Sequence, residues 1–241
     1  DDAALADAAL RGAQTPADRS PDSIAGLRLA LPREHFFARL QPVVAGAVHA
    51  AASVFRSLGG EVVEVDWPAA GAARDCAFVL NRVETAAVHA ELAANSERFA
   101  AVNPDLRLRI RAGGRLAVDD YLLALRARSV LRDSVAELFR CHRLDALLAP
   151  TLPPTALSAA DPVVHWADGD ESAGTAWTRL TMPFNATGQP VLALPCGFDA
   201  AGLPIGLQLA GRPGDEATLF RLGRAYESAT PWSSMRPPAV P

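Results

Sequence analysis

"MPFNATGQPVLALPCG", residues 182–197, places three prolines and two glycines around a four-residue apolar run. Pro183, Gly188 and Pro190 constrain or free the backbone just ahead of Val191, Leu192, Ala193 and Leu194. The spacing predicts a sharp bend that feeds the chain into a buried strand over 191–194. Asn185 and Thr187 are expected to bond the backbone groups that such a bend leaves free. Downstream, "DAAGLP" at 199–204 separates this strand from a second apolar run at 205–209. So short a link allows only an antiparallel hairpin.

Three further runs upstream have the same short, apolar character. "GLRLALP" predicts a strand over 27–31 and "EVVEV" another over 61–65. Between them, Pro42 opens a helix with Val44, Val48, Ala51 and Phe55 on one stripe, and Gly59 and Gly60 end it. Strand, helix, strand is a βαβ unit, so this pair is expected to be parallel with a right-handed crossover. "DALLAP" adds a strand over 147–149. Helices are expected over 72–94 and 118–142; Asp119 and Asp120 at the start of the second, and Arg140 and His142 at its end, suit the helix dipole. Asp215 is a candidate cap for a last helix with Leu219, Leu222, Gly223 and Tyr226 on one face. Residues 1–11 read as a helix with Ala4, Leu5, Ala8 and Ala9 together. Residues 14–23 read as a connector, 151–174 as a long surface loop, and the tail from 231 as loose. The fold class is α/β: a mixed, largely parallel central sheet covered by helices on both faces.

All 23 basic residues are arginine, so any mechanism needing a lysine base or Schiff base cannot be completed by this chain. The net charge of −4 argues against a nucleic-acid partner. No apolar run reaches the length of a bilayer span, so no membrane is expected. Cys76, Cys141 and Cys196 are few and far apart, which points to reduced thiols in the cytoplasm. The five histidines form no ligand-spaced pair, so no metal site is expected.

The block from Leu180 to Glu227, "LTMPFNATGQPVLALPCGFDAAGLPIGLQLAGRPGDEATLFRLGRAYE", closely resembles the C-terminal region of amidase signature family enzymes. "GLRLALPREHFF" resembles the strand and turn that follow the family's signature, and "ALLAPTLPPTA" its Leu-Leu-x-Pro-Thr segment. "DDAALADAALRGAQTPAD" resembles the helix and connector just after the signature. The resemblance implies a cofactor-free amide hydrolase with a serine nucleophile, a bridging serine and a lysine base. The chain opens on Asp1 and holds neither a lysine nor a Gly-Gly-Ser-Ser-Gly-Gly-type segment. Residues 1–241 are therefore expected to be the C-terminal portion of a single amidase-signature domain, with every catalytic residue upstream and none here. The partners this implies are a small-molecule amide and the N-terminal half of the same protein, with a homodimer as an option.

Within the chain the resemblance marks two substrate-binding candidates. Thr178 falls where related amidotransferase A subunits carry a polar substrate contact; its other reading is a surface threonine. Arg109, in "LRLRIRAGG", falls where those subunits hold the substrate carboxylate, and a guanidinium suits a bidentate contact. Its other reading, shared with Arg107 and Arg111, is a solvated charged face. Glu84 resembles a helix glutamate of stand-alone amidases, or buttresses its helix. Cys196 reads as a small buried apolar residue. Two alternatives to the hydrolase remain: the A subunit of a tRNA-dependent amidotransferase, against which "VLNRVETAAVHAEL" lacks an Arg-Tyr-Asp-Gly-type motif, and a non-catalytic interaction module.

Overall fold

The first element, α1 (Asp2–Leu10), buries Ala4 and Ala8 but leaves Leu5 exposed, a narrower apolar face than its sequence predicts. The structure is a computed structural model that describes residues 2–12 and 23–235; most of the expected connector and the end of the tail lie outside them. Strand β1 (Arg28–Pro32) leads into the short α2 (Glu34–Phe37), which buries Phe36. Helix α3 (Pro42–Ser57) starts on its proline and stops where Gly59 takes a left-handed φ of 89°. Strand β2 (Glu61–Val65) and a 3-10 turn (Pro68–Ala72) follow.

The helix expected over 72–94 is two: α4 (Ala73–Val88) and α5 (Ala90–Ala94), broken at His89. Next come α6 (Ser96–Ala100) and α7 (Pro104–Gly113), capped by the side chains of Asn95 and Asn103. Helix α8 (Val118–His142) has the predicted bounds, and β3 (Ala146–Pro150) is buried along its whole length.

The stretch 151–174 is not one loop. It contains a hairpin, β4 (Val163–Trp166) and β5 (Gly169–Ser172), and enters α9 (Ala173–Arg179). The strands are four residues each, too short to show an alternation, and cross-strand pairs hold them instead. His165 Nδ1 lies 2.8 Å from Asp170, and Trp166 Nε1 donates to Glu171 at 2.8 Å.

The opening bend is a helical turn, α10 (Met182–Thr187), with Pro183 in its first turn and Gly188 ending it at φ 76°. Thr187 bonds the freed backbone as expected, donating to Pro183 O at 2.8 Å. Asn185 does not: it is exposed and its side chain makes no hydrogen bond among the described residues. Strands β6 (Val191–Phe198) and β7 (Pro204–Gly211) form the hairpin, and Asp199 Oδ1 accepts from Ala201 N and Leu203 N at 2.9 Å to fix its turn. Asp215 caps α11 (Glu216–Ala229), accepting from Thr218 N at 3.4 Å. Part of the expected loose tail is ordered as a 3-10 turn, Trp232–Ser234.

The five long strands form one sheet in the order β2-β1-β3-β7-β6. Pairs β1–β2 and β1–β3 are parallel; β3–β7 and β6–β7 are antiparallel. Four strands thus run one way and β7 runs against them. Alternate side chains feed two cores. Leu29, Leu31, Leu148, Leu207 and Leu209 pack with α3 and α11 on one face. Ala30, Leu147 and Ala149 pack with Phe36, Trp67, Phe139 and Phe184 on the other. Both faces are covered, as the apolar strand runs require; each buried leucine contributes about 2 kcal/mol. A third cluster, with Cys76, Leu80, Ala124, Leu131 and Ala186, locks α4 onto α8 and α10. Among the described residues, no helix is long and apolar enough to cross a membrane.

Candidate active-site face

The α4–α9–α10 corner gathers more charge than the sequence analysis assigns to it. Two guanidinium groups lie over the ring of Trp166 in the β4–β5 hairpin, Arg39 at 5.5 Å and Arg179 at 6.0 Å from its centre. Arg39 also pairs with Asp168 at 2.8 Å. Arg179 is largely buried and lies 3.8 Å from the buried Glu171. Burial lowers the Arg179 pKa; Glu171 opposes this, and Arg39 and Arg74 add to it. One inward-facing carboxylate and one exposed one thus pair with Arg179 and Arg39, while the charge of Arg74 adds to the corner without a carboxylate of its own.

His35 bonds the same corner, donating from Nε2 to Arg179 O at 2.9 Å. Burial pushes its pKa below the ordinary value; the bond to the carbonyl opposes this, and the Arg179 charge reinforces it. Below about pH 6.5 the unfolded chain takes up a proton that folded His35 resists. Stability therefore falls as pH drops from there through the folded pKa. His35→Gln, which keeps a donor but cannot titrate, is expected to flatten that slope. Melting temperatures of the two proteins between about pH 7.5 and 5 test this.

On α4, Phe78 is flanked one turn either side by Arg74 at 5.3 Å and Arg82 at 5.7 Å. This i, i+4, i+8 stack lies along one helix face. Neither arginine forms an ion pair among the described residues. Arg74 reaches Thr175 of α9, donating from Nη2 at 3.4 Å. Its Nε is buried with no hydrogen-bond partner. Further along α4, Glu84 accepts from Tyr121 of α8 at 3.4 Å, the buttressing reading of that residue.

Thr178 is half-buried on α9, and its hydroxyl donates to Gly174 O at 2.9 Å or Thr175 O at 3.2 Å. Its proton is spent on its own helix, so it offers only lone pairs outward. Arg109 is exposed on α7 and unpaired among the described residues. No hydrogen bond or ion pair joins Thr178 to Arg109. A cleft of about 630 Å³ between α8 and the end of β7, with Phe139, Gln189 and Arg212 in its walls, includes neither. Cys196 is buried, and burial pushes its thiol pKa up to about 12, which keeps it protonated. Among the described residues no group of three or more His, Cys, Asp or Glu side chains converges as metal ligands do.

The amidase family model matches residues 5–220. The chain belongs to the amidase family. An amidase from Pseudomonas putida is 38% identical over 218 residues, covering 90% of this chain and 46% of that protein. The A subunit of the glutamyl-tRNA(Gln) amidotransferase from Roseiflexus sp. (strain RS-1) is 35% identical over 246 residues, covering 89% and 47%. The solved structure described as a crystal structure of amidase superposes with a TM-score of 0.82 at 29% identity, covering 94% of this chain and 50% of that one. This amidase-family chain thus spans about half the length of the relatives it matches. The matched region takes in the α4 stack, the β4–β5 hairpin and α9 together.

Sequence reasoning misses Arg74, Arg179 and Glu171. For Arg74 a signal exists, the Arg-x-x-x-Phe-x-x-x-Arg spacing on a helix. For Arg179 and Glu171 none does, because the hairpin that joins them has the composition of a loop.

Proposed function

We propose that this chain is the C-terminal portion of a single amidase-signature domain, and that the complete protein hydrolyses a carboxamide to a carboxylate and ammonia or an amine. The observation that carries this reading is the family match over residues 5–220; the fold likeness supports it. In this reading a serine nucleophile, a bridging serine and a lysine base lie upstream. The reaction needs a base because a serine hydroxyl is a weak nucleophile until its proton is taken. A lysine serves if burial lowers its pKa so that it is neutral. Backbone N–H groups then hold the oxyanion. This chain, whose only strong bases are arginines, contributes binding surface and scaffold instead. It works in the cytoplasm, docked to the N-terminal portion, with Thr178 and Arg109 contacting substrate.

Thr178→Ala is expected to raise KM by about tenfold or less and to leave kcat nearly unchanged, because one weak acceptor is lost. Steady-state kinetics of the full-length protein check this. The reading itself is tested by ammonia release from a panel of primary carboxamides. Release that withstands chelators supports it; no release from any carboxamide removes it. The amidotransferase relative at 35% identity favours a second reading, in which this chain belongs to the A subunit of such an enzyme. Against it, the stretch "VLNRVETAAVHAEL", which runs from α4 into α5, has no Arg-Tyr-Asp-Gly-type motif. Hydrolysis confined to glutamine and dependent on a partner protein would favour it.

A further inference from the structure

We propose that Arg74 and Thr175 form a subsite for the carboxylate of a small ligand, so that the substrate is an amide that also carries an anionic group. As a statement about substrate, this rests on the amide-hydrolase reading above. Four observations carry it. First, Arg74 has no carboxylate partner among the described residues, although Asp75 is its neighbour in sequence. An arginine half-buried without a counter-ion is costly unless something else supplies the charge. Second, its position is electrostatically poor. It stands in the first turn of a sixteen-residue helix, where the dipole is positive, and close enough to Arg179 to depress that residue's pKa. All these contributions favour an anion.

Third, the hydrogen bonding is incomplete in the sense a carboxylate would complete. The Arg74 guanidinium makes one long bond, from Nη2 to Thr175 Oγ1 at 3.4 Å, and its other Nη–H groups have no partner among the described residues. Thr175 Oγ1 also accepts from Ser172 Oγ at 3.0 Å. With both lone pairs engaged, its own O–H proton is left to donate. A guanidinium with spare N–H groups beside a hydroxyl with a spare proton is a donor set for a carboxylate. Fourth, the group is held in place. Phe78 stacks under Arg74, and Thr175 sits in the first turn of α9, whose cap is Ser172 accepting from Thr175 N at 3.3 Å. Thr178 is on the same helix, one turn on.

The test compares succinamate, which carries a carboxylate, with succinamide, its neutral counterpart, and extends to the shorter malonamate and longer glutaramate pairs. For the full-length protein, kcat/KM is expected to favour at least one anionic member. Arg74→Gln and, separately, Thr175→Val are expected to reduce that anionic-to-neutral ratio, the arginine variant by about tenfold to a hundredfold. Arg74→Lys should restore part of the ratio, since it keeps the charge and loses the fork. A wild-type ratio near one in every pair, or a ratio unmoved by both Arg74→Gln and Thr175→Val, overturns the subsite and leaves the hydrolase reading standing. If the wild type hydrolyses no member, the hydrolase reading is decided by the wider carboxamide panel and the subsite by binding alone. A melting temperature raised by succinamate but not succinamide, and lost in Arg74→Gln, supports it; equal shifts, or none, overturn it.

Discussion

Phe184→Ala is expected to destabilise the protein by about 4 kcal/mol, seen as an earlier urea midpoint with an unchanged slope. Phe184 is 1% exposed in the first turn of α10, and its ring lies 5.4 Å from Phe36 and 6.1 Å from Trp67. Those three rings join α2, the segment after β2 and α10 on one face of the sheet. Truncation removes the transfer energy of a large ring and leaves a cavity between elements pinned elsewhere, so little collapse can offset it. Phe184→Leu, which keeps most of the volume, should cost less than half as much. A loss under about 1 kcal/mol for alanine would mean that the aromatic cluster does not hold this face together.

Gly113→Ala is expected to cost about 3 kcal/mol, although alanine is the better helix former. A Cβ at Gly113 falls 1.8 Å from the carbonyl oxygen of Arg82 and 3.0 Å from Ala86 Cβ. The obstacle is backbone, so α7 must move away from α4 as a unit. Gly114→Ala is the control. Its Cβ meets nothing closer than 3.6 Å, and its φ of −69° suits any residue. That change should be neutral or stabilising by about 0.5 kcal/mol. Equal midpoints for the two variants would contradict the close packing of α7 on α4.

The sheet is legible because its strands are short apolar runs bounded by turn residues, and all five overlap the runs that the sequence marks. The largest difference is at β6, which continues past Leu194 to Phe198, through a proline and a glycine that argue against a strand. Helix α8 is legible for a different reason: its charges complement its dipole at both ends. The β4–β5 hairpin is not legible. Four-residue strands reading VVHW and GDES carry no period, and their stability comes from Trp166 and Arg39 reaching across the chain. Residues 182–187 mislead for an instructive reason. Pro183 and Gly188 suggest a bend, yet proline in a first turn and glycine just past the end also bracket a helix. Of the site, Thr178 and Arg109 come from resemblance. The Arg74–Phe78–Arg82 stack is visible in spacing alone, but its meaning depends on Thr175 being delivered from 101 residues away, and nothing local encodes that.

We infer that the complete protein is a serine amide hydrolase whose chemistry lies outside these 241 residues. A fluorophosphonate probe reacted with the active full-length protein, followed by peptide mapping, tests it most directly. One labelled serine upstream of this chain is expected, with loss of carboxamide hydrolysis in step with labelling. Within the chain, Ser129 Oγ donates to Leu125 O at 3.3 Å on an exposed helix face, and the Cys196 thiol is buried and protonated. Neither is activated. Label on Ser129, Cys196 or any other residue of 1–241, at a rate matching inactivation, would place the nucleophile in this chain and overturn the inference.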